Sequence, residues 1–192
     1  MINAELANLI KKRRAYRSFE KVTVSKPIFE EAARLAQLAP SCMNKQLWNY
    51  VIIQEPKQLS AIVETLSSGN QVWNRNSSAV IAVVSKPELD CEIGPNKERK
   101  YYLFDTGMAT AFLILFLTEN DLVAHPMSGF NPEKVKKVLG VPEDMEIVVL
   151  IGVGKKTEKI HDDFSESQKK NEMERPARKS LAKFLFFNQF SK

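Results

Sequence analysis

Ala39-Pro40-Ser41-Cys42-Met43-Asn44-Lys45-Gln46-Leu47-Trp48 stands where a helix gives way to a strand. Pro40 stops the helix, because a proline ring lacks the N–H that the next turn would need. The residues that follow, 49–53, are rich in β-branched side chains and read as a strand. Between them lies a run of small hydroxyl, thiol and amide groups closed by a tryptophan. By itself this run is either a helix-terminating loop ahead of a core tryptophan or a loop that offers hydrogen bonds to a ligand.

The preceding helix starts near Ser25-Lys26-Pro27, with Pro27 in its first turn, and reaches Leu38. Before it, Asn3 caps a helix over 4–14 that carries Leu6, Leu9 and Ile10 on one face. After the first strand, Pro56 opens a short helix to about Leu66, and 79–84 is a buried strand. The longest helix spans 97–120, and its stretch 108–117 is apolar nearly all round, so it lies in a core or between subunits. Asn131-Pro132-Glu133 supplies a cap, a first-turn proline and a favourable acid for a helix ending at Gly140. A strongly apolar strand over 146–153 comes next, and residues 155–174 read as an exposed or extended connection. Four of the 11 phenylalanines fall in the last nine residues, so the tail docks, on its own body or on a partner. Helices with few, separated strands predict one α+β domain over 1–192, a mixed or antiparallel sheet wrapped by helices.

Composition narrows the function. The chain of 192 residues is 44% hydrophobic and 27% charged, which excludes wholesale disorder. It contains no run of about 18 apolar residues, and its first residues lack the order of a signal peptide, so a cytoplasmic place with no membrane is expected. The net charge of +5 is dispersed among acids and not interleaved with aromatics, which argues against nucleic acid. Cys42 and Cys91 have neither C-x-x-C nor histidine spacing and argue against zinc or a disulfide framework; His125 and His161 lack ligand neighbours, so no metal is expected. Gly152-Val153-Gly154 lacks the third glycine and the following helix of a dinucleotide fingerprint, and no Walker sequence is present.

Positive charge concentrates in two places, Lys11-Lys12-Arg13-Arg14-Ala15-Tyr16-Arg17-Ser18-Phe19 and Arg175-Pro176-Ala177-Arg178-Lys179. Two arginine clusters and one polar loop suit a ligand with phosphate at one end and a flat heteroaromatic ring at the other.

The first cluster and the 39–48 loop resemble the flavin-dependent nitroreductase family, which carries an R-x-S-x-R/K-x-F motif and then A-P-S-S-x-N-x-Q-P-W. The likeness continues in Asp105-Thr106-Gly107-Met108-Ala109, Pro126-Met127-Ser128-Gly129-Phe130, Val138-Leu139-Gly140-Val141-Pro142 and the basic C-terminal element. It implies a three-layer fold in an intertwined homodimer, with two FMN sites at the subunit interface. It implies that Arg13, beside Arg14 and Ala15, grips phosphate together with Arg175 and Arg178, and that Arg17 reaches the pyrimidine edge. Ala15 stands where the family has serine, which removes one phosphate hydrogen bond. Pro40, Ser41, Cys42, Asn44 and Gln46 would meet the flavin bound mainly by the other subunit, with Cys42 in place of a serine and Leu47 in place of a proline. Asn70 and Gln71 fall where ring contacts come from, and Met127, Ser128 and Gly129 where a backbone N–H points at N5. The flavin carries the chemistry, so no catalytic side chain is assigned. The activity implied is hydride transfer from NADH or NADPH to a small acceptor such as a nitroaromatic or quinone, by a ping-pong mechanism. Flavin storage, or a specialised flavin dehydrogenation or dehalogenation, are the alternatives.

Overall fold

Strand β3, Ala79–Ser85, has every residue buried and sends alternate side chains to opposite faces of a sheet. Ala79, Ile81 and Val83 join one core, Val80, Ala82 and Val84 the other. A strand apolar on both faces needs cover on both, and that requirement makes three layers. The computed structural model describes residues 4–91 and 100–190.

All strand pairs in the five-stranded sheet are antiparallel. β5, Glu146–Lys156, is its hub. Along one edge it takes β3 and then the two-residue β1, Phe19–Glu20; along the other it takes β4, Leu122–Met127. β2, Trp48–Ile53, pairs with the far edge of β3, Trp48 opposite Ser85. Gly152 in β5 is demanded by packing, since a Cβ there would lie 2.5 Å from the Asn74 Oδ1 and 2.8 Å from the Trp73 ring.

One face is covered by α2, Lys26–Ala36, and α5, Tyr101–Glu119, through Phe29, Ala32, Ala36, Leu113 and Leu117. The other is covered by α3, Pro56–Glu64, α4, Ser68–Asn74, and α6, Pro132–Leu139, through Leu59, Ile62, Trp73 and Val135. α1, Ala4–Lys12, lies against α5 and buries no residue. α5 is long and apolar enough to cross a bilayer, yet half of its apolar window is buried inside the fold.

The α+β expectation is met, and helix and strand ends shift by a few residues. The Asn3 cap and the 97–99 start of the long helix lie outside the described residues. The stretch 155–174 differs: β5 runs on to Lys156, and Glu166–Met173 forms α7. α7 has no apolar face to betray it, but Ser165 and Gln168 make a reciprocal capping box. The phenylalanine-rich tail does not dock on its own body. Phe187 and Phe190 are 80% and 77% exposed.

Candidate functional site

The segment between α1 and β1 is held by three crossing contacts. Buried Glu172, at the end of α7, accepts the backbone N–H groups of Arg17 at 2.8 Å and Ser18 at 3.0 Å. Arg14 donates to the Asn171 carbonyl at 2.7 Å and to the Tyr16 hydroxyl at 3.0 Å, its guanidinium 4.3 Å from the Tyr16 ring centre. Arg175 donates to the carbonyls of Lys11 and Arg13, the latter at 3.0 Å. Arg14 thereby satisfies the open carbonyls that end α7, and Arg175 those that end α1.

These contacts shape a pocket of about 180 Å³ into which Arg13, Arg17, Arg175 and Arg178 converge, and no carboxylate lines it. The guanidiniums of Arg13 and Arg17 make no hydrogen bond among the described residues, although both are partly withdrawn from water. Burial lowers the pKa of each; Arg175 and Arg178 press Arg13 further down, while Glu172 partly offsets the shift at Arg17. Like charges gathered without a counter-ion are costly unless an anion completes the site. The N-terminal and C-terminal arginine clusters, far apart in sequence, are thus one site. Ala15 lies on the same pocket wall.

β4 adds His125 to that wall. Its Nδ1 lies 2.9 Å from the Tyr16 carbonyl oxygen, so Nδ1 carries the proton and donates it. The ring packs on Trp73 at 4.5 Å. Burial lowers its pKa to about 4 against the opposing Tyr16 hydrogen bond, with Arg17 acting in the same direction as burial, and the ring is neutral near pH 7. No motif marked His125; the signal was a histidine inside a strand whose neighbours Val123 and Met127 are buried.

Ser128 and Gly129 follow directly on the end of β4 at Met127. The Gly129 carbonyl accepts from the Ser67 N–H at 2.8 Å and from Asn70 Nδ2 at 3.2 Å. A Cβ on residue 129 would meet the Ser67 Oγ at 2.6 Å and Asn70 Nδ2 at 2.8 Å, so any larger residue would displace those two side chains. Gln71 donates to the Leu66 carbonyl at 2.8 Å. Asn70 and Gln71 therefore fasten the 127–129 turn and the end of α3. The structure joins these residues to the arginine pocket through one strand.

The 40–46 loop lies apart from that pocket. Here one expectation is overturned: Cys42 and Cys91 form a disulfide, with Cα atoms 6.3 Å apart. Each cysteine lies six residues beyond the Trp48–Ser85 rung, on strands that run antiparallel, and that symmetry brings them together. The pairing of β2 with β3 was needed to see it. Cys42 also donates its backbone N–H to the buried Asp105 carboxylate at 2.8 Å, a role the sequence did not disclose. Ser41 Oγ accepts from the Gln46 N–H at 3.1 Å, and Gln46 Nε2 donates to Asn44 Oδ1 at 3.0 Å. Met43, Asn44 and Gln46 have φ of 51°, 56° and 49°, a left-handed backbone that costs a non-glycine residue roughly 1–2 kcal/mol. Pro40 precedes this loop with its side chain exposed, and Trp48 after it is buried.

The chain is 26% identical over 182 residues to the NADH dehydrogenase of Thermus thermophilus, covering 80% of this chain and 87% of that one. It is 25% identical over 165 residues to the iodotyrosine deiodinase of Thermotoga neapolitana, covering 78% and 87%. A solved structure described as an oxidoreductase containing FMN superposes with a TM-score of 0.80 at 24% identity, covering 95% of this chain and 91% of the other. The nitroreductase family model matches residues 10–83 and 65–155, a span that takes in the arginine motif, the 40–46 loop and all of the sheet but its last residue, and the chain belongs to that family.

Proposed function

We propose that this protein is an FMN-dependent oxidoreductase that passes hydride from NADH or NADPH to a small organic acceptor such as a nitroaromatic or quinone. One observation carries the reading: the half-buried guanidiniums of Arg13 and Arg17, without a hydrogen-bond partner among the described residues, converge with Arg175 and Arg178 on a pocket that no carboxylate lines. A phosphate monoester, near −2 at neutral pH, matches that charge. The FMN named with the superposed oxidoreductase supports the choice of ligand.

FMN, when bound, would supply the hydride-transfer chemistry between nicotinamide and acceptor. The chain's residues bind and orient. Arg13, Arg175 and Arg178 hold the phosphate, and Arg17 offers a positive charge toward the pyrimidine edge. Met127, Ser128 and Gly129 would offer backbone to the flat ring, Gly129 without a side chain in the way. Neutral His125 adds a non-ionic wall beside the arginines.

Ser41, Cys42, Asn44 and Gln46 lie away from this pocket within one chain, so their contact with the ring comes from a second copy. The apolar groups left on the surface support that homodimer: Phe104 and Phe112 on α5, and Phe184, Phe187 and Phe190 in the tail. FMN should bind and quench its own fluorescence on titration, whereas FAD, for which the chain has no dinucleotide fingerprint, should not. Binding of FAD alone, or of neither, overturns the proposal. Likeness to a deiodinase favours a second reading of the same chemistry, reductive removal of halide, which turnover of an iodinated phenol would reveal.

A further inference from the structure

We propose that the Cys42–Cys91 disulfide is a thiol-exchange site, at which low-molecular-weight thiols open and close a bond that sets the conformation of the 41–46 loop. The two sulfurs belong to the only cysteines in the chain, and both residues are partly exposed, so a small thiol can reach them. Neither lies in the sheet, and opening the bond leaves the β2–β3 ladder intact.

The loop depends on the segment that the disulfide anchors. Lys45 Nζ donates to the carbonyls of Leu89 at 2.8 Å and Asp90 at 2.9 Å, the two residues just before Cys91. The covalent bond and the lysine therefore grip one short stretch, whose only local structure is the single turn Pro87–Leu89. Released from Cys42, that stretch keeps the Lys86–Asp144 ion pair at its start, and its far end can withdraw with both acceptors of Lys45. What remains is the Asp105 contact at Cys42 and hydrogen bonds inside the loop, set against three left-handed non-glycine residues. Such a conformation persists only where its surroundings over-determine it. The disulfide is the strongest of those surroundings.

The exchange needs only a thiol as co-reactant. A thiolate attacks one protein sulfur, forming a mixed disulfide and freeing the other cysteine. A second thiol then displaces the first cysteine, so the protein gains two electrons and two protons and the thiol leaves as its own disulfide.

Native protein treated with reduced glutathione and then iodoacetamide should gain two alkyl groups by intact mass, and untreated protein none. Deuterium exchange in 41–46 and 86–91 should quicken on the order of tenfold in the reduced protein, with β2 and β3 unchanged. The double variant Cys42→Ser/Cys91→Ser should show that same pattern without any thiol. Resistance to glutathione until the chain is unfolded, or full reduction with loop exchange unaltered, overturns the proposal. Should the double variant fail to fold, the reduced wild-type chain decides the matter alone. Neither readout depends on turnover of the enzyme.

Discussion

Arg13 and Arg14 are adjacent in the chain, but only Arg14 is spent on the fold. Its side chain closes the carbonyl end of α7, whereas the guanidinium of Arg13 makes no hydrogen bond among the described residues. Their alanine variants should therefore fail in opposite ways. Arg13→Ala should keep its denaturation midpoint and weaken FMN by about one to two orders of magnitude, the worth of one charged hydrogen bond at about 1.5–3 kcal/mol. Arg14→Ala should lose a similar free energy from the fold; urea denaturation and flavin titration of both variants check this. His125 gives a pH dependence. Its pKa in the fold, about 4, lies below the ordinary 6.5, so the unfolded chain binds the extra proton first. Its contribution is complete above about pH 6.5 and is lost as pH falls toward 4, by up to about 3 kcal/mol. The slope of stability between pH 7 and 5 should flatten in His125→Asn.

At the scale of elements, the disulfide closes a segment between residues 49 apart in sequence. Chain entropy alone assigns such a closure about 4 kcal/mol. Thermal or chemical unfolding with and without reductant should separate by that order, and equal midpoints would show a closure without thermodynamic weight. The elements legible in the sequence were those whose pattern is local. β3 is an uninterrupted apolar run, α6 carries its cap, proline and terminal glycine, and α5 is apolar all round. Those that escaped owe their state to partners. β4 contains His125 and Pro126, yet it is a strand because β5 offers it an edge. β1 is two residues paired with a strand more than a hundred positions away. The arginines of the site could be read as residue types, whereas their division into structural and ligand-facing members depends on α7. Cys42 shows the same limit, since only strand register brings it within bonding distance of Cys91.

For the whole molecule, the balance of surface decides assembly. α5 leaves Tyr101, Phe104 and Phe112 exposed along one side, and the tail adds Leu181, Phe184, Phe187 and Phe190. Surfaces of this kind belong to obligate dimers, whose interfaces commonly exceed about 2,000 Å². Sedimentation should give a dimer, and deletion of 181–192 should yield monomer with weakened FMN binding; a stable, flavin-loaded monomer would defeat the shared site. The bond from Arg14 to Asn171 spans 157 positions and has a further consequence. A ribosome that has delivered the whole arginine motif still has most of the chain to make, and at typical elongation rates the whole takes roughly 10 to 40 s. Until 171–178 emerges, the motif has its β5 and His125 contacts but lacks those of Asn171 and Glu172, and the pocket lacks Arg175 and Arg178, so the proposed phosphate site is incomplete on the nascent chain. Loading belongs to the finished polypeptide, and a cell short of FMN would accumulate completed, empty protein rather than stalled intermediates.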